Sequence, residues 1–127
     1  MIHIPVSVGE LIDKLSILQV KKNKITNEEK LLLVNKEFEL LYELSSPYLE
    51  HPEVDSLYDG LCLVNEKLWN IEDRIRVIES EQRFQGEFID QARKVYFTND
   101  ERFELKNKIN LITDSEIREV KEYVKYK

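Results

Sequence analysis

The sequence predicts an all-α protein: an antiparallel helical bundle with one long central helix, short C-terminal helices and a short extended N-terminal arm. The composition supports this, since 3 Gly, 3 Pro and 35% charged residues favour helix over sheet. So does a long run of apolar residues three and four positions apart, which is the spacing of a helix face. Recurrent Ser/Thr-x-x-Glu capping boxes mark helix starts. The length of 127 residues predicts a single helical domain over residues 1–127.

The start of the chain predicts an arm followed by two helices. Pro5 disfavours helix in the arm, and Ser7 with Glu10 forms a capping box. The first helix is expected to run to about Lys24, with one apolar face made of Val8, Leu11, Leu15 and Leu18. A second capping box, Thr26 with Glu29, starts helix 2, whose apolar face is Leu31, Val34, Phe38 and Leu41, widened by Leu40 and Leu44. The sequence at 45–47, Ser-Ser-Pro, is expected to end that helix.

Residues 57–81 contain the longest helical periodicity and predict the central helix. Its apolar positions alternate in steps of four and three: Leu57, Leu61, Val64, Leu68, Ile71, Ile75 and Ile78. Such a heptad seam is typical of one long helix that packs lengthwise against others, and Pro52 suits its first residue. A seam this regular can also continue across a two-fold axis, so we expect a homodimer through the helix 2 and helix 3 region. The alternative is a monomeric bundle.

Three shorter helices are predicted for the last third of the chain. The pair Gln85-Gly86 interrupts the pattern, and a fourth helix follows with Phe88, Ile89, Ala92, Val95 and Tyr96. Thr98 with Glu101 forms a third capping box and opens a fifth helix. Ser115 is expected to cap a last helix that carries Ile117, Val120 and Val124.

Charge and composition exclude several classes of function. The net charge is −6, and residues 31–60 alone, with one basic and seven acidic side chains, account for −6. A basic footprint for nucleic acid is therefore absent, and no apolar run is long enough for a membrane span. The single Cys62 cannot form an internal disulfide and the chain begins without a signal-peptide pattern, so a cytoplasmic location is expected.

Metal and enzyme chemistry have little support in the sequence. Two histidines and one cysteine exclude a Cys/His zinc site, and no Glu-x-x-His occurs. The sequence contains two Glu-x-x-Glu pairs, Glu101 with Glu104 and Glu116 with Glu119. They resemble the magnesium ligands of all-helical nucleotide pyrophosphohydrolases, but the Asp that is usual in the second pair is missing. A chorismate-mutase-like interpretation starts from Ile12, Asp13, Leu15 and Ile17, and its basic ligands are poorly matched. No catalytic residue, metal or cofactor is predicted.

Polar residues from 93 to 110 predict an anion pocket instead. Arg93 and Tyr96 share a helix face, and Arg102, Lys106 and Asn110 follow at i, i+4 and i+8. Between these two groups, residues 98–100 are expected to form a helix amino-terminus with free backbone N–H groups, and Asn99 belongs to it. Basic side chains that converge there suit phosphate or carboxylate. The alternative is a solvated face of surface ion pairs.

A polar stripe on the central helix is the predicted opposite wall of that pocket. It lies one residue beyond the heptad seam, about 100° around the helix, and consists of Asn65, Trp69, Glu72 and Arg76. Surface ion pairing would explain Glu72 and Arg76, which are four residues apart. Trp69 indicates that part of the stripe is covered.

Three stretches resemble a family of small uncharacterised proteins of bacteria and their phages, a domain of unknown function. The first is residues 5–15. The second is residues 65–76, with the string Trp-x-Ile-Glu-Asp-x-Ile-Arg at 69–76, and the third begins at residue 92, with the string Val-Tyr-x-Thr-Asn-Asp-x-Arg at 95–102 and matching residues after it. Members tend to lie beside glycosyltransferase genes, so the resemblance implies a link to nucleotide-sugar or surface-polysaccharide biology by association only. The chain departs from the family at Val120, where a second Glu is usual.

The sequence favours a non-enzymatic binding or accessory module for an anionic small molecule, of the phosphate or nucleotide-sugar type, or for a partner protein. One alternative is an enzyme that acts on a phosphorylated substrate and holds phosphate with the residues at 93–110. Another is a purely structural oligomer whose heptad seam is its function. The expected partners are a second copy of the chain and a phosphorylated small molecule, with neither nucleic acid nor membrane.

Overall fold

A computed structural model of the chain describes residues 1–126, which contain four α-helices and no strand. The helices are α1 (Val8–Lys24), α2 (Glu28–Leu49), α3 (Pro52–Ser80) and α4 (Glu87–Ile112). The connections are short, so consecutive helices lie side by side and antiparallel. α1 packs against the other three helices, and the most extensive contact is between α3 and α4. The prediction of an all-α bundle with a long third helix is confirmed.

Three of the predicted helix boundaries are confirmed. Ser7 caps α1, because its hydroxyl oxygen accepts a hydrogen bond from the backbone N–H of Glu10 at 3.0 Å. Pro52 is the first residue of α3, where the missing N–H of proline costs no helical hydrogen bond. The interruption at residues 85–86 separates α3 from α4, and Gly86 has a φ of +52°, which favours glycine.

α2 differs from its prediction at both ends and on one face. Asn27 is its cap instead of Thr26, since the Asn27 side chain accepts from the N–H of Lys30 at 3.0 Å. The helix continues past Pro47 to Leu49. Leu40 and Leu44, which were expected to widen the packed face, are exposed.

The C-terminal third holds one long helix, so the prediction of several short ones is wrong. α4 runs without a break through residues 98–101, and Thr98 is buried in its middle. Residues 113–126 carry no helix. Ser115 does not cap one, because its hydroxyl accepts from the N–H of Val8 at 3.1 Å and donates to the carbonyl of Ile117 at 2.7 Å.

The core lies between α1, α3 and α4. Its central buried cluster is Ile12, Val54, Leu61 and Ile109. The predicted seam of α3 faces the interior of the bundle: Leu61, Ile71 and Ile78 are buried, and the other four seam residues are half-buried. The seam is therefore used within the chain. None of the helices in residues 1–126 is both long enough and apolar enough to cross a membrane.

Candidate functional site

The carboxylate of Asp13 is the centre of a polar network between α1, α3 and α4. The residue is fully buried. Arg102 of α4 donates to both carboxylate oxygens, from Nε at 2.9 Å and from Nη2 at 2.5 Å. Asn65 of α3 donates from Nδ2 to Asp13 Oδ1 at 3.0 Å. A buried charge needs such donors to offset its loss of water, and here two helices supply them.

Asn65 and Ser16 complete this network beneath the carboxylate. The same amide nitrogen of Asn65 donates to the hydroxyl oxygen of Ser16 at 2.8 Å. Ser16 in turn donates to the backbone carbonyl of Asp13 at 2.6 Å. All three residues are buried. The position of the carboxylate is thus determined by contacts on the backbone side as well as at its two oxygens.

Lys106 lies one turn beyond Arg102 and connects three carboxylates. Its ammonium nitrogen lies 2.8 Å from Glu10 Oε2, 2.7 Å from Glu119 Oε2 and 3.9 Å from Asp13 Oδ2. The lysine side chain is only 8% exposed. Burial by itself lowers the pKa of Lys106, but the hydrogen bonds that its ammonium donates to Glu10 and Glu119 more than compensate, so its pKa is raised above 10.5. Lys106 is charged in the folded protein.

Arg102 is held as a cation in the same way. Its hydrogen bonds to Asp13 are the main cause that raises the pKa of its guanidinium, and they outweigh the opposing effect of burial. Asp13 occupies the Nε and Nη2 side of the guanidinium. The two N–H groups on Nη1 make none of the hydrogen bonds found in residues 1–126, and a planar guanidinium keeps them at a defined orientation.

The amino-terminus of α1 is closed by residues from the other end of the chain. The N–H of Gly9 donates to Asn110 Oδ1 at 2.6 Å, and the N–H of Val8 donates to the hydroxyl of Ser115. Ser7 takes the N–H of Glu10. These donors are the ones that a helix start could offer to an anion. They are satisfied within the protein.

A cleft opens beside the Asp13 network, between α3 and α4, with one edge formed by α1. It has a volume of about 560 Å³. Two apolar residues of α1, Ile17 and Val20, form part of its lining. The rest comes from the other two helices: Asn65, Leu68, Trp69, Glu72, Asp73, Arg76, Asn99 and Arg102. We call this the α1/α3/α4 cleft.

The structure brings six of the ten predicted site residues to this cleft. They are the four of the predicted second wall, Asn65, Trp69, Glu72 and Arg76, together with Asn99 and Arg102. The prediction that a helix begins at residues 98–100 is wrong, however. Residues 98–100 lie inside α4, so their N–H groups serve helical hydrogen bonds and do not form an anion-binding helix start.

The other four predicted residues lie elsewhere. The guanidinium of Arg93 lies 5.5 Å from the ring centre of Phe97 on the surface of α4. Tyr96 lines a second groove, of about 1260 Å³, between α4 and the C-terminal segment, which shares only Asn99 with the lining of the cleft. Lys106 and Asn110 are buried in the contacts with α1. These four side chains therefore do not converge with Arg102 on one pocket.

Asp13 and Ser16 are not among the predicted site residues. In the structure, buried α1 residues recur at Gly9, Asp13, Ser16 and Val20 in steps of four, three and four. That is heptad spacing, and it describes a second buried stripe beside Ile12 and Leu15. One of its four members is glycine and two are polar, so the stripe has no apolar periodicity that would mark it in the sequence.

The Glu-x-x-Glu pairs do not assemble a metal site in residues 1–126, where no group of three His, Cys, Asp or Glu side chains could hold a metal ion. Glu119 binds Lys106 at 2.7 Å, whereas Glu101 lies 3.9 Å from Lys67. Glu104 and Glu116 are exposed.

Comparison with known proteins identifies one family. A family model described as "Family of unknown function (DUF6165)" matches residues 2–126. No curated protein matches the chain. No solved structure matches it either.

Proposed function

The chain belongs to DUF6165, a family of unknown function, and we propose that the protein binds a small anionic ligand in the α1/α3/α4 cleft. The observation that carries the proposal is the arrangement of Arg102. Its guanidinium is fixed by a buried carboxylate, Arg102 lines the cleft, and its Nη1 donates none of the hydrogen bonds found in residues 1–126. A cation that is already oriented loses little entropy when it binds an anion, and this favours affinity.

Arg76 on the opposite wall supports the same function. Its side chain is 71% exposed and pairs with Glu72 of the same helix, one turn away. An exposed pair of this kind contributes at most about 1 kcal/mol, so Arg76 can exchange it for a ligand at little cost. Arg76 and Arg102 then approach a ligand from two helices.

Trp69 gives the cleft a flat apolar surface. It is half-buried and lies in the lining together with Leu68 and Ile17. Large aromatic rings contribute strongly to binding energy at such sites. The side-chain amide of Asn99 adds a hydrogen-bonding group to the lining. A ligand with a ring or another apolar face beside its anionic group fits this lining better than a bare inorganic ion.

The charges of the cleft limit how negative the ligand is. Two arginines in the lining are opposed by two carboxylates, Glu72 and Asp73. The buried charge of Asp13 also lies behind Arg102. A single phosphate or carboxylate group is therefore favoured over a polyphosphate chain, which would meet repulsion from these carboxylates.

Replacing Arg76 tests the proposal. Arg102 is unsuitable, because its loss would leave Asp13 buried without its main partner. Arg76→Gln should keep the fold and weaken binding of a ligand by roughly tenfold, since a charge-assisted hydrogen bond contributes about 1.5–3 kcal/mol. Ligands are found by a thermal-shift panel of sugar phosphates, nucleoside monophosphates and carboxylates, and affinities are measured by calorimetry.

Arg83→Gln is the matched control. Arg83 is also an exposed arginine that pairs with exposed glutamates, and it does not line the cleft. The Arg83→Gln variant should bind the ligand as tightly as the wild type does. Equal losses in both variants would mean that the anion is attracted by general surface charge, and a wild type that ignores the whole panel would end the proposal.

A further inference from the structure

α2 is a long helix with very little packed surface. It spans 22 residues, and among them only Ser45 is buried. Its contacts are with α1 and α3. Most helices in proteins are stabilised by packing of an apolar face and not by intrinsic propensity. α2 therefore gains less from the bundle than α1, α3 and α4, each of which buries several residues.

A second apolar stripe of α2 faces away from the bundle. It consists of Leu33, Leu40 and Leu44, which are 71%, 40% and 61% exposed. Spacings of seven and four residues place these three leucines within an arc of about 40° on the helix. The half-buried face of Leu31 and Val34 lies more than a quarter turn away. The exposed leucines are thus a separate seam, and leucines at this spacing are typical of helix pairing.

The charges that flank this seam suit an antiparallel copy of the same helix. Lys36 and Glu43 lie on one flank, seven residues apart. If two copies of α2 cross antiparallel with Leu40 at the two-fold axis, Lys36 of one copy lies within about one residue of Glu43 of the other. The symmetry makes this ion pair twice. Glu37 lies on the other flank, where its two copies remain about 9 Å apart along the axis.

We propose that the chain forms a homodimer in which the seam of Leu33, Leu40 and Leu44 packs against the same seam of a second copy, antiparallel and centred on Leu40. In this arrangement Leu33 approaches Leu44 of the second copy, and Leu40 approaches its own equivalent. The ion pairs of Lys36 and Glu43 border the contact and set its direction. The contact involves one helix from each copy, so a micromolar dissociation constant is expected. This proposal does not depend on the cleft.

An apolar-to-charged substitution tests the seam. The monomer has a mass of 15.2 kDa, and light scattering or sedimentation over the micromolar range should show twice this mass at the upper end. Leu40→Asp should raise the dissociation constant at least tenfold while circular dichroism retains the helical signal, because Leu40 is outside the core. Leu63→Asp is the control: Leu63 is a leucine of α3 that is more exposed than Leu40, at 70% against 40%, and its substitution should leave the mass unchanged.

A charge exchange tests the direction of pairing. Lys36→Glu alone and Glu43→Lys alone should each weaken the dimer by roughly fivefold or more, since two rim pairs are lost in each variant. The double variant should return the dissociation constant to near that of the wild type. The proposed dimer would be overturned by a wild type that is monomeric at every concentration, by a dimer that survives Leu40→Asp, or by equal effects of Leu40→Asp and Leu63→Asp. The proposed direction of pairing would be overturned if the double variant still had a raised dissociation constant.

Discussion

At the scale of single residues, Asp13 has the largest structural role in the site. Its carboxylate is fully buried and holds Arg102 from α4 and Asn65 from α3. A buried charge contributes favourably only while its partners remain, and removing one member leaves the others buried without compensation. The network therefore fixes how the three helices approach one another at the cleft, and it holds Arg102 ready for a ligand.

We predict that Asp13→Asn lowers the free energy of unfolding by about 3 kcal/mol, the lower end of the range for breaking a buried ion pair. The lower end applies because the Arg102 side chain is 27% exposed. Urea unfolding provides the measurement. Asp59→Asn, an exposed aspartate of α3, should change stability by less than about 0.5 kcal/mol. A loss below about 1 kcal/mol for Asp13→Asn would contradict the network's role.

Gly9 permits the close approach of α1 to α4. A Cβ atom at this position would lie 2.5 Å from the backbone oxygen of Lys106 and 2.9 Å from Asn110 Oδ1. The first of these is a backbone atom, so the helices would have to separate. This close packing explains how the Gly9 N–H reaches Asn110 at 2.6 Å.

Gly9→Ala should therefore destabilise the protein by about 1–3 kcal/mol, the usual cost of overpacking. Gly60→Ala is its counterpart in α3. A Cβ atom there would make ordinary contacts of 3.5 Å and 3.6 Å with Leu105, and alanine is favoured over glycine in a helix by about 0.5–1 kcal/mol. Thermal melts of the two variants should move in opposite directions, and equal shifts would contradict the close helix contact.

At the scale of helices, the predictable parts are those that depend on local signals. The Ser7 cap and the Pro52 start need only neighbouring residues, and the seam of α3 repeats over a long stretch. The continuity of α4 could not be predicted in this way. Thr98 and Glu101 have the spacing of a capping box, but the same residues also fit a helix interior when tertiary packing covers Thr98, which is buried.

Contacts between distant parts of the chain also explain why the C-terminal segment and part of the site could not be predicted. Ser115 has the chemistry of a helix cap, yet its hydroxyl binds Val8, 107 residues away in the chain. Six of the predicted site residues lie together because two stripes of α3 and α4 face each other. Asp13 was not identified because its partners come from distant segments, and a single sequence does not show which polar residues of a helix are buried.

Thr98→Val discriminates between one continuous α4 and two shorter helices with Thr98 as the cap of the second. The Thr98 hydroxyl is buried and makes no hydrogen bond within residues 1–126, so a methyl group of the same shape should stabilise the protein by about 1 kcal/mol. If Thr98 capped a helix, the substitution would instead cost about 1 kcal/mol.

Thr113→Val is the control for this comparison. The Thr113 hydroxyl donates to the carbonyl of Ile109 at 2.7 Å. Its loss should be neutral or slightly destabilising. Urea unfolding of both variants measures the difference, and a clear loss of stability in Thr98→Val would favour the interrupted helix.

At the scale of the whole molecule, Lys106 connects the beginning and the end of the chain. From α4 it binds Glu10 of α1 and Glu119 of the C-terminal segment. Residues 113–126 carry no helix, so contacts of this kind, together with Ser115 on Val8, hold the segment against the bundle. The ammonium of Lys106 is thus a link between three segments and depends on its charge.

This dependence gives a prediction for alkaline pH. The folded-state pKa of Lys106 is raised above its ordinary value of 10.5. A raised pKa stabilises the folded protein fully below the unfolded value, and the contribution is lost as the pH rises through the folded value. Lys106→Met keeps much of the apolar stem. Near neutral pH this substitution should lower the free energy of unfolding by about 1.5–3 kcal/mol, the contribution of hydrogen bonds to charged groups.

The difference between wild type and Lys106→Met should then shrink above pH 10.5, because the wild-type lysine loses its proton while the variant has none to lose. Urea unfolding of both proteins at neutral and alkaline pH gives this difference, in which the titration of other lysines and tyrosines cancels to first order. Lys108→Met, at an exposed lysine of the same helix, should have a free energy of unfolding close to that of the wild type at both neutral and alkaline pH. A destabilisation by Lys106→Met that persists undiminished at high pH would show that the methylene stem, and not the charge, links the three segments.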